Sequence, residues 1–167
     1  MACSSSIVGI TLDCSSSKGG IKRAWVSPYV DGAWEFTTDP NTNGRAAVSG
    51  MSDSLNFHAY EFKKNTGSFT STLNSDAAAG YSYWSTEIIL QFTKLETEKR
   101  IAISALAVAD AVVVVEDANG KMWCFGADSP VNASAGTGQT GTNATDGNYM
   151  QITLADEQNE FPCAMTD

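Results

Sequence analysis

The chain has 167 residues, 43% hydrophobic and 17% charged, and its 19 acidic and 10 basic residues give a formal net charge of −9. This length is enough for one domain with a hydrophobic core and short for two, so we expect a single domain over residues 1–167 with flexible termini at 1–9 and 163–167. The excess of carboxylates argues against tight binding of DNA or RNA, because phosphate backbones are bound by clusters of Lys and Arg.

The sequence contains no candidate membrane span or secretory signal. No stretch approaches the roughly 20 apolar residues that cross a bilayer, and the apolar run near the N-terminus is shorter than a signal core. We therefore expect a soluble protein made in the cytoplasm, without a membrane partner. Its four cysteines are widely spaced and lack the close pairing of zinc or redox motifs. We expect reduced, partly buried thiols at Cys3, Cys14, Cys124 and Cys163.

The segment DCSSSKGGIKRAWVSPY, residues 13–29, raises the question of a nucleotide site. A Walker loop has glycine at both ends, then Lys and Ser or Thr, and then a helix. Here Gly19 and Gly20 precede an alternating, extended segment over 21–30. The pattern therefore predicts a turn that enters a strand rather than a phosphate cradle.

The next segments predict strands separated by loops. Residues 33–37 resume the extended pattern, whereas 38–54, TDPNTNGRAAVSGMSDS, have no periodicity and predict a long loop. Long loops in compact domains are usually functional or mobile. Residues 57–63 and 68–73 flank a turn at 64–67, which predicts a β-hairpin. His58, the single histidine, is expected at a sheet surface or edge.

Residues 81–93 predict a long strand with one buried side, because the apolar residues alternate. The predicted buried positions are Trp84, Thr86, Ile88, Leu90 and Phe92.

The period changes over 94–109, which predicts the one α-helix. Thr93 and Glu96 have the spacing of a capping box, and the residues that follow form a broad apolar face. Because the second half is apolar on almost all sides, we expect this helix to be covered by its own sheet and by a neighbouring subunit.

The last third again predicts strands. Residues 112–115 and 121–125 flank Asn119-Gly120, a strong hairpin signal with positive φ expected at both residues. Residues 127–148 predict a second long loop, and 149–154 a final strand with Met150, Ile152 and Leu154 on one side. These elements predict a mainly β protein, an antiparallel β-sandwich or barrel-like fold with one helix and two long loops.

No pattern of residues indicates catalysis, a cofactor or a metal. Asp117 begins a sequence like the start of a calcium loop, but the later ligands are missing and the hairpin explains the same residues. Asp156 and Glu157 are adjacent carboxylates that we expect to be solvated in a polar tail. We therefore expect a protein that is not an enzyme.

Several segments resemble structural proteins of tailed bacteriophages. They are GGIKRAWVSPY, EFKKNTGSFTSTLN, ILQFTKLETEKR, VVVVEDANGKMWCFGADSPV and TGTNATDGNYMQITL. The most similar kind is the tail tube and tube-like virion proteins of phages of Bacteroides-type gut bacteria, crAss-like phages included. The resemblance covers about residues 10–162 and concerns the order and spacing of turns and strands.

This resemblance implies a tail-tube fold in which six subunits form a ring, stacked or single, with sheets joined across subunits around a lumen. It implies assembly in the host cytoplasm, a place in the virion tail, and contacts with other tail or connector proteins. DNA passes through such a lumen without specific binding, which suits an acidic protein. Loop 38–54 would contact a stacked ring, and the helix would face outward or toward a neighbour.

The implied interface residues lie in these two segments. They are Asp39, Pro40, Asn43, Arg45 and Met51 in the loop, and Ile101, Ala105 and Val108 on the helix.

A second hypothesis is a carbohydrate-binding or surface-binding module, such as a receptor-recognition or capsid-decoration domain. Exposed aromatic rings stack on sugars, although the same residues also fill the cores of β-sandwiches. The candidates are Trp25, Tyr29, Trp34, Tyr81 and Trp84.

Overall fold

The computed structural model describes residues 9–41 and 43–166. The predicted mainly β, antiparallel, sandwich-like fold with one helix is confirmed. The elements in chain order are β1 (Ile21–Pro28), β2 (Trp34–Thr38), β3 (Arg45–Met51), β4 (His58–Tyr60), β5 (Gly67–Asp76), β6 (Tyr81–Thr93), α1 (Thr97–Val108), β7 (Ala111–Asp117), β8 (Met122–Phe125), β9 (Asn132–Gln139), β10 (Tyr149–Gln158) and β11 (Cys163–Ala164).

The strands form three sheets. A five-stranded sheet has the order β11-β8-β7-β1-β4, a four-stranded sheet has the order β5-β6-β10-β9, and β2 and β3 form a two-stranded hairpin. All paired strands are antiparallel.

The main core lies between the five-stranded and four-stranded sheets. Alternate residues of β6 point into it, as predicted, and Ile88 and Leu90 are fully buried. Their partners across the β6–β10 ladder, Leu154 and Ile152, are buried with them. Helix α1 adds Leu106 to this core.

A second core lies on the other face of the five-stranded sheet. Val113 and Val115 of β7 face the main core, whereas Val112 and Val114 pack with Trp34 beneath the β2–β3 hairpin. Strand β7 is therefore buried on both faces. This explains why it is a continuous run of valines rather than an alternating pattern.

The predicted long loop at 38–54 is wrong, because most of it belongs to the β2–β3 hairpin. The turn is closed by hydrogen bonds between Asp39 and the backbone of Asn43 and Gly44. The ladder has register shifts after Glu35 and after Thr37. Such bulges break the two-residue alternation by which strands are recognised in a sequence.

The predicted second loop at 127–148 is also wrong over part of its length, because it contains β9. The strand is written NASAGTGQ, and these small residues have little β propensity of their own. Pairing along β10 holds it in place. After β9 the segment turns, and Asp146 Oδ2 accepts the N–H groups of Thr142 and Asn143 at 2.8 and 2.7 Å.

The predicted hairpin between 57–63 and 68–73 is wrong in its pairing. Strand β4 pairs with β1, Ala59 lying opposite Trp25, and β5 pairs with β6. The chain turns at 64–67 but passes from one sheet to the other. His58 lies exposed on the edge strand β4, as expected.

Helix α1 lies within the predicted range, but the predicted capping box does not form. Glu96 occupies the N-cap position without a side-chain cap bond. Its carboxylate instead contacts Lys94 Nζ at 2.6 Å and Lys99 Nζ at 3.0 Å. The chain enters the helix through Lys94, which has a φ of 69°.

The predicted β7–β8 hairpin is confirmed. Gly120 has a φ of 90°, but Asn119 does not have the positive φ that we expected. The Asp117 carboxylate accepts hydrogen bonds from the Asn119 and Lys121 N–H groups and from Trp123 Nε1. These bonds shape the turn and account for the motif that resembled a calcium loop.

The structure also describes most of the C-terminal segment that we expected to be flexible. Cys163 and Ala164 form β11 on the edge of the five-stranded sheet, and Met165 bridges to Val48 of β3. Asp167 and residues 1–8 lie outside the described residues. Residues 19 and 20 lead directly into β1, as the interpretation of a turn before a strand requires.

Candidate assembly surfaces

The two edges of the four-stranded sheet are long and open. Strand β5 has ten residues and β9 has eight, and within the described residues neither has a strand partner on its outer side. The five-stranded sheet ends instead in strands of three and two residues. Edge strands are commonly protected by Lys or Pro, and β5 and β9 contain neither. Both edges are therefore suited to pairing with another strand.

The backbone groups that face each open edge follow from the ladder. Gln91 N–H donates to the Thr66 carbonyl at 3.1 Å, and hydrogen-bonded pairs alternate along an antiparallel ladder. The N–H of Leu73 therefore points away from β6. By the same alternation, the Lys94 N–H bond to the Asn148 carbonyl at 2.8 Å places the N–H of Gly136 on the outer side of β9.

The face of the four-stranded sheet opposite the core is polar. Its carboxylates belong to Asp76, Glu87 and Glu157, and most of its remaining side chains are hydroxyls and amides. The four strands contain no Lys or Arg, so all ten basic residues of the chain lie elsewhere. A surface with carboxylates and without cations repels a phosphate backbone.

Helix α1 carries an exposed apolar stripe. Ile101 is 58% exposed and Val108 is 89% exposed, with the exposed Ala105 between them. The stripe lies on the opposite face from Ile103 and Leu106, which contact the core. Helix α1 packs against β9 and β10, and the stripe faces away from the core.

The loop residues predicted as contacts have different environments. Asp39 Oδ1 accepts the Asn41 N–H at 2.7 Å and shapes the hairpin turn, where Pro40 and Asn43 are exposed. Arg45 is instead partly buried and bound within its own chain. Its guanidinium donates to Asp128 at 2.6 Å and lies 4.4 Å from the centre of the Phe36 ring.

Met51, the last predicted loop contact, is 41% exposed and lines an apolar groove of about 270 Å³. Its other lining residues are Trp25, Phe57, Val114, Met122 and Met165.

The candidate sugar-binding aromatics are not gathered on one exposed surface. Trp34 is 7% exposed and packs near Phe57, and Trp84 meets Phe161 edge to face at 5.1 Å. Tyr81 is half exposed. Trp25, Tyr29 and Trp84 are partly buried, and Trp25 and Tyr29 pack against the second core, so only Trp34 of the five lies in the interior.

Asp156 is a buried carboxyl, so the expectation that it is solvated in a polar tail is wrong. It is 2% exposed, and its Oδ2 accepts hydrogen bonds from the Gly126 N–H and from Gln158, whereas Oδ1 has no partner. Burial raises its pKa to about 6. The signal was present, because Asp156 continues the alternation of Ile152 and Leu154.

Within residues 9–41 and 43–166, no helix is long and apolar enough to span a bilayer. No group of three or more His, Cys, Asp or Glu side chains there is arranged to hold a metal ion.

Comparison of the chain with protein families, with characterised proteins and with solved structures found no match.

Proposed function

We propose that this chain is a structural subunit that assembles with copies of itself into a ring, and that the ring is part of the tail tube or tail connector of a tailed bacteriophage. The observation that carries the proposal is the pair of long, unprotected edges on the four-stranded sheet. The phage assignment comes from the sequence resemblance.

The placement of the edges favours a ring over a two-fold dimer. Strands β5 and β9 lie on opposite sides of the same sheet. Pairing β9 of one copy with β5 of the next leaves a free edge at each end of the pair, so the contact repeats until rotation closes it. Closure pairs both edges of every four-stranded sheet and joins these sheets into one barrel.

The dimensions of such a barrel suit a DNA conduit. Six copies, the number that the resemblance implies, contribute about 24 strands. At ~4.8 Å per strand the wall is roughly 115 Å around and about 37 Å across between opposite backbones, before strand tilt widens it. Side chains on the inner wall leave room for a DNA duplex.

The polar face of the four-stranded sheet would line this lumen. Its carboxylates, Asp76, Glu87 and Glu157, have no basic residue among the four strands to offset them. Phosphates would meet no Lys or Arg there, so DNA passes without being held.

Other surfaces would serve the outside of the ring. The stripe of Ile101, Ala105 and Val108 is an apolar contact for a neighbouring copy or another tail protein. The β2–β3 turn at Pro40 projects a short tip toward a stacked ring. Assembly would take place in the host cytoplasm, and the finished protein would be part of the virion tail.

The test uses proline at outward N–H positions, because proline removes a donor from the open edge and spares the inner ladder. Leu73→Pro blocks β5 and Gly136→Pro blocks β9, with Leu73→Ala and Gly136→Ala as matched controls. A Cβ at Gly136 makes only an ordinary contact, 3.6 Å from the Gln151 carbonyl. We expect the proline variants to be monomers and the alanine variants to form rings, by light scattering and negative-stain microscopy.

A mixture of the two proline variants distinguishes β5–β9 pairing from pairing between identical edges. Each retains the edge that the other lacks, so an equimolar mixture should give a dimer and nothing larger. Dimers of Gly136→Pro alone would indicate β5–β5 pairing and contradict the ring. Wild-type protein that stays monomeric at high concentration would overturn the proposal. Saturable glycan binding by that monomer would favour the carbohydrate-binding module.

A further inference from the structure

Cys124 and Cys163 lie directly opposite each other on neighbouring strands. They are register partners in the β8–β11 pair, and both belong to the second core. Directly opposite residues of an antiparallel pair point to the same face of the sheet. Cys124 is 2% exposed and Cys163 is half-buried, so the two thiols meet at the border of the core.

The pair has a backbone separation that a disulfide accepts. Met165 N–H donates to the Met122 carbonyl at 2.9 Å, and by alternation Cys124 and Cys163 also form a hydrogen-bonded pair. The Cα atoms of such pairs are about 5.5 Å apart, inside the range of about 4.4–6.8 Å found in disulfides.

The geometry also predicts a strained bond. Side chains of hydrogen-bonded pairs are farther apart than those of the alternate pairs, so the two strands must move slightly to join the sulfurs. Strand β11 has two residues and only β8 beside it in the sheet. A shift of β11 therefore disturbs fewer backbone hydrogen bonds than a shift of β8 would. Strained disulfides are more easily reduced than relaxed ones.

We propose that Cys124 and Cys163 are the site of a reversible intramolecular disulfide that covalently fastens the C-terminal strand to the five-stranded sheet when the protein meets an oxidising disulfide. The inference does not depend on the proposed ring, because both cysteines belong to one chain. The Thr166 N–H already donates to the Val48 carbonyl of β3 at 3.0 Å. Because the disulfide would hold the C-terminal strand in place, it would also secure the β2–β3 hairpin.

The oxidant is a low-molecular-weight disulfide such as oxidised glutathione. The Cys163 thiolate attacks one of its sulfurs, breaks the S–S bond and releases one glutathione thiolate. The Cys124 sulfur, on losing its proton, then attacks Cys163 Sγ and displaces the second glutathione. Two electrons pass to the glutathione pair, two protons leave the cysteines, and one new S–S bond forms.

The surroundings make this reaction slow at neutral pH. Burial raises the pKa of Cys124 to about 12. Burial and the carboxylates of Glu160 and Asp128 raise the pKa of Cys163, and the Arg45 guanidinium opposes them. Because the thiolate is the reacting form, we expect the rate to rise about tenfold from pH 7 to pH 8.

The experiment uses the full chain with Cys3→Ser and Cys14→Ser, which leaves only this pair. After treatment with oxidised glutathione, non-reducing peptide mapping should find the two cysteine peptides linked within one chain, with the loss of two hydrogens. Dithiothreitol should reverse the change. Adding Cys124→Ser should stop the reaction at the glutathione adduct of Cys163.

Three results would overturn the proposal: an end product with glutathione on Cys163 and a free Cys124, links only between two chains, or no reaction of folded protein at pH 8. A circular dichroism spectrum confirms that each variant is folded before mapping. Rings are neither required nor excluded by any of these outcomes, so the tests of the two proposals are independent.

Discussion

The guanidinium of Arg45 donates to the carboxylate of Asp128 at 2.6 Å and joins the β2–β3 hairpin to the segment between β8 and β9. Both side chains are largely removed from water, with 30% and 19% of their surfaces exposed. Asp128 also accepts the Asn159 N–H at 3.0 Å. The Asp128 carboxylate thus connects three segments of the chain through two hydrogen bonds.

We expect Arg45→Ala to destabilise the protein by about 1–2 kcal/mol, because it leaves a partly buried carboxylate without its cation and removes the packing on Phe36. The control is Lys22→Ala, since the Lys22–Glu116 pair is 3.5 Å long and Lys22 is 58% exposed. Lys22→Ala should lower the free energy of unfolding by no more than about 0.5 kcal/mol. Urea unfolding measures both. Equal losses would contradict the structural role assigned to Arg45.

The buried Asp156 predicts a pH dependence of stability. Its folded pKa of about 6 is above the ordinary value of 3.8, so the folded state binds the proton more tightly. The stability that this proton gives is present at low pH and is lost as pH rises from about 4 through 6. The loss is on the order of 3 kcal/mol.

Asp156→Asn should remove this dependence, because an amide does not titrate. The measurement is the free energy of unfolding of both proteins between pH 4 and 8. The control is Glu157→Gln on the exposed face of the same strand, which should keep the wild-type slope. A wild-type profile in the Asp156→Asn variant would show that another group is responsible.

Alanine substitutions on the two sides of α1 should reduce stability by very different amounts. Leu106→Ala should cost about 2–4 kcal/mol because it leaves a cavity in the main core. Ile101→Ala and Val108→Ala should cost less than about 0.5 kcal/mol in a monomer, since both side chains are exposed. Measurements in the Gly136→Pro background exclude any contribution from assembly.

If the stripe is a contact between copies, Ile101→Ala and Val108→Ala should weaken ring formation in the otherwise unmodified chain. Rings of full stability in both variants would remove the stripe from the interface and leave the β5–β9 contact unaffected. Sedimentation over a dilution series provides the comparison.

A comparison of alanine substitutions at Gly126 and Gly32 distinguishes the cost of backbone strain from the cost of steric overlap. Both have positive φ, 90° and 66°. A Cβ at Gly32 meets nothing, whereas at Gly126 it is 3.1 Å from the Ala111 carbonyl and 3.3 Å from Val112 Cα. Gly32→Ala should cost roughly 1 kcal/mol, and Gly126→Ala at least about 1 kcal/mol more. Thermal unfolding at pH 7 tests the difference.

Where local pattern dominates, the sequence was sufficient to predict the fold. Strand β6 was predicted over its full length because it buries one face and alternates without interruption. The β7–β8 hairpin follows from Asn119-Gly120. In both elements, a few consecutive residues are enough to determine the local structure.

The wrong predictions concern segments whose own residues do not show the pattern typical of the structure that they adopt. Strand β9 is composed of small residues, and only β10 makes it a strand. The β2–β3 hairpin contains bulges that remove the alternation. Asp156 was placed in a polar tail because a carboxylate normally marks a strand end, although its parity assigns it to the core.

The sequence predicts some of the candidate contact surfaces and not others. Ile101, Ala105 and Val108 were identified from an excess of apolar residues on the helix, and they are exposed. The absence of Lys and Arg from the four-stranded sheet could not be predicted from the sequence, because it depends on which four strands share that sheet. Arg45 was expected to contact another subunit, but in the folded chain it is bound to Asp128.

Met165 and Thr166 hold the β3 strand through Val48, more than a hundred residues earlier in the chain. During translation the hairpin that contains Trp34 is therefore fastened over the valine strand only after residues 165 and 166 have been synthesised. A chain that stopped a few residues before Met165 would lack β11 and leave the β2–β3 hairpin unsecured, although its four-stranded sheet would be complete.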